Sequence, residues 1–211
     1  MYLNNYITSY CTIEHNVVYK NAIPLFENRG VDLPAFLLSA YHHFGLNYPK
    51  FYKMDNLSKL GWLASEILLK DGFIKDHQPE EVGLILSNAN SSLDSDKKYN
   101  NSISDIPSPA LFVYTLPNIM IGEICIRNNF KGEDAFFIFE KFNAGFIYAY
   151  AANLLTNNAL KACICGWVDL LGEEYKAVLL LVEKVERENS VPFSEKNLDS
   201  IFEYLVIDKD I

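Results

Sequence analysis

Apolar positions along the chain alternate between two spacings, one of period two and one of period 3.6. Residues 6–12 read as a first strand. Residues 31–44 carry a helical spacing, with Asp32 placed to cap it, Pro34 tolerated in its first turn and Gly45 placed to end it. A second helix is predicted over 56–70, where Asp55 is the cap and Leu57, Leu60, Ala64, Ile67 and Leu68 form one stripe before Gly72.

Val82-Gly83-Leu84-Ile85-Leu86 is apolar on both faces, as in a strand buried inside an α/β sheet. The stretch 87–104, rich in Asn, Ser and Asp, reads as a polar loop. A helix over 119–127, a strand over 135–139 and an Ala-rich helix over 143–155 follow. In that last helix Ala144, Ile147, Tyr148, Ala151, Ala152 and Leu155 share a stripe. Strands near 162–167 and 177–182 precede a closing helix over 194–206, capped by Ser194 and packed through Leu198, Ile201, Phe202 and Leu205. Strands alternating with helices predict a layered α/β fold, and no linker divides residues 1–211 into more than one domain.

With 211 residues, half of them hydrophobic and 21% charged, the chain can build a real core and is not a disordered segment. Lys and Arg number 18 against 27 Asp and Glu, a formal charge of −9. Such a balance, without a basic block, argues against nucleic acid and anionic membrane as partners. A mean hydropathy of +0.02 suggests apolar surface that awaits a partner. No run is long enough for a membrane span, and Met1-Tyr2-Leu3-Asn4-Asn5 lacks the pattern of an export leader. A cytoplasmic protein with reduced thiols is the expectation.

Conventional sites are missing. There is no phosphate-cradling Gly-rich loop. His42 and His43 are neighbours about 100° apart on a helix, without an acidic ligand one turn on. Asp94 and Asp96 share a loop too mobile for an acid/base pair. Cys163 and Cys165 point to one face of a strand, which suits two small buried hydrophobes better than a metal site. Neither a metal nor a cofactor is expected.

Residues 57–169 resemble the N-terminal half of the β-ketoacyl-acyl-carrier-protein synthases, the condensing enzymes of the thiolase fold. The helix over 57–69 and Val82-Gly83-Leu84-Ile85-Leu86 resemble that family's Ala-rich helix and central strand. Ser108-Pro109-Ala110-Leu111-Phe112 and Leu116-Pro117-Asn118 resemble its Ser-Pro-x-x-Phe and Leu-x-Asn stretch. From Gly132 the order of the family's best-known motif follows without a gap. Phe136-Phe137-Ile138-Phe139 is the strand, Ala151-Ala152 lies in the helix, and Gly166-Trp167-Val168-Asp169 closes it.

In this register the nucleophilic cysteine falls at Lys141, beside Glu140, Phe142, Asn143 and Ala144. An amine cannot replace the thiolate that carries an acyl chain as a thioester. The resemblance also implies two catalytic histidines after the strand over 177–182. About thirty residues follow it, and His15, His42, His43 and His77 all precede Lys141. The resemblance therefore implies only one of the family's two pseudo-symmetric halves, a layered thiolase-like α/β/α unit with a mixed central sheet.

The resemblance implies a non-catalytic, chain-length-factor-like partner of an active ketosynthase in bacterial fatty-acid, polyketide or polyene-pigment synthesis. Its partners would be that ketosynthase and an acyl carrier protein, in a homo- or heterodimer. The strand before the nucleophile would lie at the dimer seam. Phe136, Phe137, Phe139 and Phe142, with Ala144 and Gly145, would then line an acyl tunnel or interface. Two other readings stay open: an enzyme using Lys141 or Glu140 as acid or base, and a stand-alone binding protein that keeps only the fold. The closing helix is expected to cover surface that a second half would otherwise bury.

Overall fold

The computed structural model describes residues 5–104, 106–157 and 159–203, apart from the Phe73 side chain. Its strands are β1 (Tyr6–Glu14), β2 (Val17–Lys20), β3 (Ile23–Glu27), β4 (Val82–Asn88), β5 (Asp134–Ile138), β6 (Ala162–Leu171), β7 (Glu174–Glu183) and β8 (Val191–Pro192). They form one sheet in the order β3-β2-β1-β7-β6-β4-β5, with β8 paired to β1. β4 is parallel to β5 and β6, while β7 runs antiparallel to β6 and β1. All seven residues of β4 are buried, as its continuous apolar run requires of a strand covered on both faces.

The helices are α1 (Leu33–His43), α2 (Asn56–Leu68), α3 (Leu93–Ile103), α4 (Pro109–Val113), α5 (Asn118–Asn128), α6 (Ala144–Thr156) and α7 (Glu195–Glu203). Alternating strand residues feed two cores. Leu84, Leu86, Ile164 and Leu179 pack under α1, α2 and α5 on one face. Ile85, Cys163, Cys165, Val178 and Leu180 pack under α6 and α7 on the other. The predicted α/β/α layering and mixed sheet hold. The helix starts hold as well: Asp32 accepts from Ala35 N–H and Asp55 from Ser58 N–H, each at 2.9 Å.

One element was not anticipated, and one expectation needs correction. The β2–β3 hairpin carries no sequence signal, because its strands are short and its turns use non-glycine residues with positive φ, His15 and Asn16, then Asn21 and Ala22. The stretch 87–104 is not all loop, since it contains α3. Asp94 and Asp96 sit in the first turn of that helix, where the dipole favours carboxylates, and Asp94 pairs with Lys98 one turn on at 2.6 Å. Ser95, fully buried, donates to Asp55 at 2.5 Å and ties α3 to the start of α2. The closing helix is described over Glu195–Glu203, and Leu205 lies outside the described residues.

Gly166 is fixed by the sheet itself. Its φ is +146°, and a Cβ there would collide with the Val178 carbonyl of β7. The close approach of β6 and β7 beside Trp167 depends on it.

Candidate functional site

The β5–α6 turn lies at the carboxyl ends of β4, β5 and β6, the end of an open α/β sheet where ligands bind. Phe139 N–H donates to the Asn88 carbonyl at 2.9 Å, which carries β4 pairing one residue past β5. Asn143 then caps α6, accepting from Phe146 N–H at 3.0 Å. Between these two bonds the chain turns sharply and presents Glu140 and Lys141 to solvent. Residues 139–145 line a cleft of about 430 Å³, closed on its far side by Glu195 and Asp199 of α7. Three carboxylates and one ammonium thus face this space.

The neighbouring loop is held firmly. Asp169 Oδ1 accepts from the backbone N–H of Asn90 at 2.9 Å and of Ala89 at 3.2 Å, and its Oδ2 from the Asn90 amide at 2.8 Å. Asn88 and Ser91 exchange two further bonds, at 2.8 and 2.9 Å. Asp169, which closes the sequence motif, therefore works as a clamp on the loop after β4.

The four phenylalanines do not form one cluster, because successive strand residues point to opposite faces. Phe136 packs toward the α2/α5 core. Phe137 and Phe139 face the other way with Phe146 and Tyr150, at centroid distances of 4.7 to 6.1 Å. Phe142 joins a separate group, stacked on Phe202 at 4.4 Å and edge-on to Trp167 at 6.2 Å. Ala144 is buried against the sheet, and half-buried Gly145 faces Glu195. Glu195, Asp199 and the site roles of Phe202 and Trp167 escaped the sequence, because α7 is some fifty residues from the turn it covers.

No thiol lines the cleft. Cys163 and Cys165 are fully buried under α6, and the contact with Cys165, together with burial, pushes the Cys163 thiol well above its ordinary value. Burial pushes Cys11 and Cys125 up to about 12. Nor does any histidine line it. His43 packs on Phe26 at 4.6 Å, and His77 lies 2.8 Å from Glu183 at the opposite end of the sheet. Among the described residues, no helix is long and apolar enough to cross a membrane.

The sequence matches no protein-family model and no curated protein. Solved structures do resemble it. A chain of the ishigamide ketosynthase/chain length factor superposes with a TM-score of 0.65 at 16% identity, covering 90% of this chain and 64% of that one. A chain from the complex of ketosynthase ApeO with its chain length factor ApeC, from Xenorhabdus doucetiae, gives 0.56 at 13% identity, covering 85% and 79%. A β-ketoacyl synthase from Burkholderia phymatum STM815 gives 0.57 at 12% identity, covering 88% and 59%. This chain thus spans less than two thirds of the first of these. The superpositions show that this chain has the thiolase-like fold of ketosynthases and chain length factors.

Proposed function

We propose that this chain is a non-catalytic, chain-length-factor-like partner of a ketosynthase, acting in fatty-acid, polyketide or polyene-pigment synthesis. The observation that carries this reading is the chemistry of the β5–α6 turn. The position where the resemblance puts a nucleophilic cysteine holds an exposed lysine, and the four thiols lie elsewhere. Acyl transfer by this fold needs a thiolate at that helix start.

A docking role finds support in the next strand along. β5 pairs with β4 on one side only, and among the described residues no strand covers its other edge. Ile138 is 49% exposed there, on the sheet face opposite the half-buried Phe137, Phe139 and Phe146. An open edge flanked by aromatic rings is a template for strand pairing with a second subunit. Pairing along β5 would bring the turn of this chain against that of an active synthase, with Phe137 and Phe139 as wall rather than machinery.

The test is co-expression with a full-length ketosynthase from the same organism, followed by size-exclusion chromatography. A stable heterodimer is expected, and Ile138→Lys should abolish it without changing the far-UV spectrum. Mass spectrometry after incubation with acyl-carrier thioesters should find no acyl group on this chain. An adduct on Lys141, or condensation by this chain alone, would replace the partner reading with an enzymatic one using Lys141 and Glu140.

A further inference from the structure

α7 lies across the turn after β5. Its residues Glu195, Lys196, Asp199, Ser200 and Glu203 face solvent, and Leu198 alone is fully buried. Phe202 fills the slot between the turn and β6: its ring is 4.4 Å from Phe142 at an interplanar angle of 18°, and 6.1 Å from Trp167 edge-on. Lys176 fastens the far end. Its ammonium donates to the Phe202 carbonyl at 2.8 Å, stands 4.7 Å from the ring centroid and pairs with Glu14 at 3.0 Å. At the near end a Cβ on Gly145 would lie 3.1 Å from the Glu195 carboxylate, so the helix runs over bare backbone of the first turn of α6.

The chain is pinned just before this helix. Phe193 is buried against Tyr148 at 5.2 Å, and its N–H donates to the Asn5 carbonyl at 2.8 Å. Ser194 then accepts from Asn197 N–H at 3.2 Å and starts the helix. A helix of a few turns persists in a protein chiefly through its packing on the rest of the fold. Its described residues are held by buried Leu198, by half-buried Ile201 and Phe202 and by Lys176, whereas β6 and β7 beneath it share a ten-residue ladder. Segments so weakly attached open locally while the rest stays folded.

We propose that α7 is a latch, hinged at Ser194, that lifts as a unit from the folded sheet and, when shut, fills with Phe202 the apolar slot an acyl chain would occupy beside Phe142. The latch itself is a property of this chain, while its regulatory meaning, admission of the partner's acyl chain, rests on the ketosynthase-partner reading above. The closed state places Glu195 and Asp199 in the cleft that Lys141 also lines, so lifting α7 removes two carboxylates from it.

Native-state hydrogen exchange on the isolated chain tests this. Phe202→Ala removes the ring and should speed exchange of the α7 amides on the order of tenfold, leaving the β6 and β7 amides unchanged. Acrylamide quenching gives a second measurement. The chain has two tryptophans, and Trp62 is fully buried under the other face of the sheet, so the variant should expose Trp167 alone. Equal acceleration of α7 and sheet amides would make α7 part of one cooperative unit and overturn the latch. Unchanged α7 exchange and unchanged quenching would show that Phe202 does not hold it shut, and would overturn the latch as well. No partner is present in either measurement, so failure of the latch and failure of the complex are read separately.

Discussion

Glu183 offers the sharpest quantitative prediction, because it is a fully buried carboxyl in a complete set of donors at the end of the sheet away from the cleft. Thr8 Oγ1 donates to it at 2.5 Å, His77 Nε2 lies at 2.8 Å, and Arg187 reaches it twice, at 2.9 and 3.1 Å, while also pairing with Asp76. Burial pushes the carboxyl up, but the bonds from His77, Arg187 and Thr8 outweigh it and hold Glu183 down at about 2, against an ordinary 4.5. A depressed acid binds its proton more readily unfolded than folded. Its contribution is therefore complete above about pH 4.5 and is lost as the pH falls toward 2, on the order of 3 kcal/mol in all. The isosteric change Glu183→Gln removes that titration. Urea unfolding of both proteins near pH 6 and near pH 3.5 should show the wild-type advantage shrinking by about 1.4 kcal/mol at the lower pH. An advantage that stays constant, or grows as the pH falls, would refute the account of Glu183 as a charged hub.

Two further outcomes follow from the geometry. Gly166→Ala should cost about 3 kcal/mol or more, since its Cβ meets backbone on β7 rather than a side chain able to move, and a urea midpoint equal to wild type would contradict this. Lys141→Cys should create one thiol that iodoacetamide modifies far faster than the native four, because it is exposed at a helix start; mass spectrometry reads the rate, and no acyl-chain extension should accompany it.

The layers of the fold were legible wherever burial imposes a period. The stripes of α2 and α6, the double-sided run of β4 and the caps Asp32 and Asp55 are each dictated by local chemistry. α3 was illegible because its residues are poor helix formers, held by a tertiary bond from Ser95 to Asp55 that no local pattern announces. The place of Lys141 at the turn followed from a resemblance of order. Which way each phenylalanine points did not follow from that order, and is set by strand alternation. The contact of Phe202 with Phe142 depends on how the last helix folds back, which composition and periodicity do not encode.

The pairing of β1 has a consequence for how the protein is made. One edge of β1 finds β2 a few residues later, but the other waits for β7, where Tyr6 meets Glu183 and Ile13 meets Ala177. At the usual pace of synthesis roughly ten to thirty seconds separate the two strands leaving the ribosome. Throughout that interval the nascent hairpin shows Ile7, Cys11 and Ile13, all sealed in the finished core, to whatever surrounds it. Such distant pairing is slow to form once its partner arrives. β1 is enclosed on both edges only once β7 has followed it out of the ribosome, and the growing polypeptide is a natural client for chaperones until then.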